Sequence, residues 1–196
     1  MQQSEEWFSD RLGYATASCF KSILAKGSGK TRAAYIEKVV TERLTGVRSA
    51  GFSSVHTDRG TEQEKYARLA YEAETGNIVQ EVGFIRHGTL LAGCSPDGLI
   101  DDDGGLEIKS VLPEIQMKLW RRGKYPSTHR PQIHGGMWIC KRQWWDFVSF
   151  SPDLPKRFRL YIYRVERDEE YIANLEAEVT RFLVEAEAQY NLLKEV

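Results

Sequence analysis

Cysteine is scarce in this chain: Cys19, Cys94 and Cys140 are the only three in 196 residues. They are scattered, odd in number and form no C-x-x-C pair, so no disulfide framework is expected and a reducing cytoplasm suits them. Three are also too few for a four-cysteine iron–sulfur cluster. The four histidines show no zinc-ligand spacing. No apolar run approaches the roughly 18 residues that a membrane helix needs. The opening MQQSEEWFSDR is polar and acidic, unlike a secretory signal. Ser95 has no Ser-His-Asp pattern around it, which argues against a hydrolase triad. Gly27-Ser28-Gly29-Lys30-Thr31 looks like the end of a P-loop, but the glycine required five residues before Gly29 is Leu24. A mobile basic loop is expected there instead. An excess of one charge is missing too, since 27 Lys and Arg face 28 Asp and Glu.

What is present points to one compact domain over residues 1–196, with 41% hydrophobic residues and five tryptophans to build a core. The charges are unevenly placed. From Ile115 to Trp145 there is no acid, but there are Lys118, Arg121, Arg122, Lys124, Arg130, Lys141 and Arg142. From Glu166 to Val196 nine acids stand against three bases. The basic stretch would attract a phosphate backbone, or both stretches are ordinary solvated faces. Helices are predicted near 4–12, 16–25, 31–45 and 58–75, the last stopped by Gly76. Short glycine-punctuated strands are predicted at 78–86, 89–94, 97–101 and 105–111. Helices at 113–122 and 130–141, strands at 144–150 and 158–165, and a helix at 168–193 complete the chain. The implied class is α/β, with a mixed central sheet flanked by helices.

The densest chemistry is Ser95-Pro96-Asp97-Gly98-Leu99 through Leu106-Glu107-Ile108-Lys109-Ser110. Strand alternation puts Glu107 and Lys109 on one face and Ile108 in the core behind. A hard divalent cation would explain carboxylates gathered there, because Mg²⁺ takes oxygen ligands and needs only one or two carboxylates besides water and phosphate. Asp97, Glu107 and the Ile108 carbonyl suit it, and Lys109 could activate the attacking water. The same spacing also fits a plain surface hairpin with Asp101, Asp102 and Asp103 as exposed turn formers.

Further segments extend the pattern. Gly60-Thr61-Glu62-Gln63-Glu64 opens a helix; Pro131-Gln132 stands before Met137-Trp138; Trp7, Arg11, Gly13, Thr16, Ala17 and Ser18 stand near the N-terminus. In this order they resemble the motifs of the PD-(D/E)xK nuclease superfamily, and within it the lambda exonuclease family of viral-type recombination nucleases. The resemblance runs from Trp7 to the C-terminal helix. It implies a restriction-endonuclease-like core, with catalytic Asp97, Glu107, Lys109, Glu64 and Gln132. It implies two Mg²⁺ ions (Mn²⁺ substituting) on Asp97, Glu107 and Ile108, and a 5′-phosphate grip from Arg11, Thr16, Ser18 and Ser95. The activity implied is 5′→3′ digestion of one strand of linear duplex DNA to 5′-mononucleotides, leaving a 3′ tail for a single-strand annealing protein. A homotrimeric ring and a phage or prophage role in the bacterial cytoplasm are implied as well. Two alternatives stay open: a structure-specific or restriction-type endonuclease with the same core, and a non-enzymatic DNA-end-binding module.

Overall fold

In the computed structural model, residues 4–26, 29–49 and 55–195 are described, with the backbone alone for 55–62. The N-terminal half is mostly helical: α1 (Glu5–Asp10), α2 (Phe20–Ile23), α3 (Lys30–Thr45) and α4 (Val55–Thr75). A short strand β1 (Ala15–Thr16) and a 3₁₀ turn (Ala17–Cys19) precede α2. The predicted helix over 16–25 is thus broken into three pieces. The cause is a distant partner, since Ala15 and Thr16 pair in parallel with Ala92 and Gly93 of β4 (Ala92–Cys94). The predicted strand over 78–86 is likewise two strands, β2 (Val79–Gln80) and β3 (Ile85–Arg86). They go to different sheets. The smaller sheet has the order β1-β4-β3.

The larger sheet has the order β2-β5-β6-β7-β8, built with β5 (Gly98–Ile100), β6 (Gly104–Ser110), β7 (Trp144–Phe150) and β8 (Leu160–Glu166). Its β6–β7 pair is parallel and its other pairs are antiparallel, so the sheet is mixed as expected. The crossover between β6 and β7 holds α5 (Pro113–Arg122) and α6 (Arg130–Cys140). After a short α7 (Lys156–Arg159), α8 (Glu169–Lys194) closes the fold, capped by the Asp168 carboxylate accepting from the Tyr171 N–H.

Alternation along β6 and β7 sorts the two faces. Leu106, Ile108, Val148 and Phe150 pack with Ala67 and Tyr71 of α4 on one side. Trp145 and Phe147 join the larger core on the other, with Ile133 and Met137 of α6 and Leu175, Val179 and Phe182 of α8. Close packing of α6 depends on Gly135 and Gly136. A Cβ at Gly135 would lie 2.6 Å from the Phe20 ring, and one at Gly136 would lie 2.8 Å from the Trp145 ring. Neither is possible without moving the helix, so Gly136 fixes its height above β7 and Gly135 its approach to α2.

Candidate active site

Strand alternation places Glu107 and Lys109 as expected, on the face of β6 opposite Ile108. Glu107 is 2% exposed, yet partnered through one oxygen. Its Oε1 accepts from Lys109 Nζ at 2.5 Å and from Gln132 Nε2 at 2.6 Å. The Gly136 contact holds α6 low enough for Gln132 to reach. Asp97, at the turn into β5, accepts through Oδ2 from the Ile108 N–H at 2.6 Å. This bond ties the β4–β5 segment to the middle of β6. Asp97, Glu107, Lys109 and Gln132 line one cavity of about 330 Å³.

Electrostatics reflect crowded acids. Burial, with the Glu107 charge added, pushes the Asp97 carboxyl well above the usual carboxylate range, although Lys109 and the Ile108 N–H pull the other way. Burial also raises Glu64, on α4, and the Glu107 charge adds to it against the pull of Arg68. Burial alone would lower the Lys109 ammonium, but the charges of Glu107 and Asp97 outweigh it and raise the group. Lys109 is therefore a firmly charged ammonium here, held by carboxylates.

The lining of the same cavity also includes Trp7, Arg11, Thr16, Ser18 and Ser95. The structure thus brings the side chains of both sequence-predicted groups to one cavity, save Glu64, which stands on α4 outside its lining and acts on Asp97 through its charge. Their local setting differs from expectation in one respect: Thr16 lies on β1 and Ser18 in the 3₁₀ turn, not at a helix start. Arg11 caps α1, and its guanidinium lies 4.0 Å over the Trp7 ring. The Trp7 indole N–H donates to Ser95 Oγ at 3.0 Å. Trp7 therefore touches both Arg11 and Ser95, a role that its place in the motif did not reveal. No ion pair engages Arg11 among the described residues. Asp101, Asp102 and Asp103 are exposed in the β5–β6 turn and stand apart from the cavity, as read from sequence. Gly27 and Ser28 of the basic loop and the side chains of residues 60–62 lie outside the described residues.

Among the described residues, no three His, Cys, Asp or Glu side chains gather closely enough to cage a metal by themselves. The donor set nonetheless fits a hard divalent ion that keeps several waters, for which Asp97, Glu107 and one carbonyl suffice. Crowded buried carboxylates are the condition such an ion relieves.

A model of the YqaJ-like viral recombinase domain matches residues 6–143, which include Asp97, Glu107, Lys109, Gln132, Arg11, Thr16, Ser18 and Ser95. The chain belongs to the YqaJ-like viral recombinase family. The alkaline exonuclease LHK-Exo from Laribacter hongkongensis is 39% identical, with a TM-score of 0.92 over 98% of this chain and 97% of that one. A second structure of LHK-Exo, in complex with dAMP, is 40% identical with the same TM-score and coverage. A phage-related exonuclease from Haemophilus somnus 129PT, 16% identical with a TM-score of 0.69 over 93% and 96% of the two chains, shares the fold. No curated protein matches the chain. Family membership carries a nuclease role in viral-type recombination to this YqaJ-like protein, and its α/β fold is the one expected. No helix among the described residues is long and apolar enough to cross a membrane.

Proposed function

We propose that this YqaJ-like protein is a single-domain, Mg²⁺-dependent exonuclease that degrades one strand of linear duplex DNA from its 5′ end. The observation that supports this most is the shared cavity, whose lining joins Asp97, Glu107, Lys109 and Gln132 with Arg11, Thr16, Ser18 and Ser95. A general nuclease needs only the first set. The second adds hydroxyls and a fork-shaped cation without a carboxylate partner, which suits a terminal phosphate. The dAMP held by LHK-Exo supports a deoxynucleoside monophosphate as product.

In this reading Asp97, Glu107 and the Ile108 carbonyl would hold two divalent ions, with Glu64 as a further acid of the same site. Bound there, such ions lower the pKa of a coordinated water and stabilise the leaving oxygen. Lys109 and Gln132 orient the attacking water, the lysine giving its charge to the scissile phosphate as negative charge develops. Glu107 positions both through the bonds described above. Arg11, Thr16, Ser18 and Ser95 grip the 5′-phosphate and hold the strand in register for the next cut. The product would be a 5′-mononucleotide, and the 3′ tail would pass to a single-strand annealing protein in the bacterial cytoplasm. A 22.5 kDa chain is too small to encircle DNA, so a homotrimeric ring is proposed for processive digestion.

The deciding experiment compares linear duplexes with 5′-phosphate, 5′-hydroxyl or blocked ends, and a covalently closed circle, each in Mg²⁺, Mn²⁺ or Ca²⁺. Release of mononucleotides from linear ends in Mg²⁺ and Mn²⁺, with little in Ca²⁺, is expected. Cutting of the closed circle would instead establish an endonuclease. Binding of ends without hydrolysis in any metal would leave a binding module.

A further inference from the structure

A second cavity borders α6. Gln132 and Gly136 face the catalytic side, whereas Arg130 and His134 face a cavity of about 410 Å³. At about 100° per residue, the two sets lie on opposite sides of the helix. Three cations border this second cavity. Arg130 is paired with Asp168 at 2.7 Å, and Arg164 is forked onto Asp146 with both bonds at 2.9 Å. Lys124 makes no ion pair among the described residues. It is exposed and follows the exposed Arg121 and Arg122 at the end of α5, so the rim continues a basic surface. Two carboxylates also border the cavity. Asp168 is committed to Arg130 and to the cap of α8, which leaves Glu166 as the only uncommitted acid there.

Two tyrosines also border it. Tyr163, from β8, is half-buried and meets Tyr125, in the loop after α5, with ring centroids 5.4 Å apart; Tyr125 itself is buried and packs on Phe147. Beside them His134 is 2% exposed, and its Nδ1 is buried with no hydrogen-bond partner. Burial, with the nearby Arg130 charge, pushes this imidazole down to about 4, so it is neutral at physiological pH. An unpaired nitrogen in such a setting is costly unless a ligand or water completes it.

We propose that this cavity is a second nucleotide site, which takes one nucleotide of single-stranded DNA with its base against Tyr163, backed by Tyr125, and its phosphate at Lys124. The proposal rests on the DNA reading given above. Rings beside a cation are how proteins hold single strands without sequence preference, because every base offers a face once it is unpaired. A base inside an intact duplex is not free to enter. The site therefore suits the strand that digestion leaves uncut, kept on the far side of α6 from the metal ligands.

The test is binding of a labelled oligothymidylate and of a blunt duplex in EDTA, followed by fluorescence anisotropy, for the wild-type protein and for Lys124→Gln, Tyr163→Leu and Tyr163→Phe. Loss of one stacked base is expected to weaken single-strand binding about fivefold or more in Tyr163→Leu. Tyr163→Phe keeps the ring and should bind normally, which guards against a folding defect. Lys124→Gln should reduce the salt dependence of single-strand binding by about 0.7 in log–log slope. Duplex affinity should stay within about twofold in all three. Unchanged oligonucleotide binding, or an equal loss for duplex, overturns the proposal. Digestion of the same duplex by the wild type in Mg²⁺ is read separately: its absence defeats the nuclease reading, and its presence with unaltered single-strand binding defeats only this site.

Discussion

Replacing Arg11 by alanine should remove the preference for phosphorylated 5′ ends. Arg11 stacks 4.0 Å over Trp7, borders the catalytic cavity and has no ion pair among the described residues. Burial lowers its pKa from the ordinary arginine value, and the charge persists at any working pH. A cation held without a counter-ion is ready to receive an anion. Hydrogen bonds to charged groups contribute about 1.5–3 kcal/mol each. At about 1.4 kcal/mol per tenfold, one such bond corresponds to roughly 10- to 100-fold in kcat/KM. A 5′-hydroxyl end never receives that bond. The ratio of kcat/KM for phosphorylated over hydroxyl ends, measured from initial rates on a linear duplex, should therefore fall by about that factor in Arg11→Ala. Arg11→Lys keeps the charge but not the fork and should fall in between. Because α1 buries no residue, Arg11→Ala should unfold at nearly the wild-type temperature. If the ratio survives intact in Arg11→Ala, the guanidinium only covers the Trp7 ring and the phosphate grip lies elsewhere.

Asp97→Asn should abolish cleavage yet stabilise the metal-free protein at neutral pH. The Asp97 carboxyl titrates above its unfolded value, so the fold favours its protonated form; that contribution is complete below the unfolded pKa and is lost as pH rises through the folded one. The advantage of the variant should accordingly shrink on acidification, and parallel urea midpoints for the two proteins from about pH 4 to pH 8 would refute it. Lys109→Ala should lose turnover but retain DNA binding, checked by anisotropy beside a digestion assay; full turnover would remove the lysine from the chemistry. Light scattering should give about three times the 22.5 kDa chain mass, and a stable monomer would exclude the ring.

The placing of Glu107, Lys109 and Gln132 was legible because it depends on local rules. Glu107 and Lys109 share a face through strand alternation, and Pro131 sits in the first turn of α6, so Gln132 falls on a helix as expected. The resemblance supplied Glu64, whose acidic neighbourhood arises only when α4 packs against β6. What remained illegible depends on partners far away in the chain. Thr16 is a strand residue only because β4 lies alongside, and the Trp7–Ser95 bond joins residues 88 positions apart. Cys94 and Cys140, read as scattered, have sulfurs 3.4 Å apart, although both are free thiols. The second cavity escaped notice for the same reason: its basic rim lay in the stretch singled out by charge, but Tyr163 arrives from β8.

The attachment of α1 has a kinetic side. This helix buries no residue; it is fastened by the Trp7–Ser95 bond, by Arg48 lying 3.8 Å over the Phe8 ring and by a half-exposed Asp10–Arg86 ion pair at 2.8 Å. Glu107, Lys109 and Gln132, by contrast, sit within one β6–α5–α6–β7 crossover over the larger core. Free energies of local opening follow such differences in burial. Amide exchange in α1 should therefore run ahead of exchange in β6 and β7. The segment that grips the end of the strand would then act as a latch, able to swing clear between cuts while the carboxylates, lysine and glutamine stay assembled.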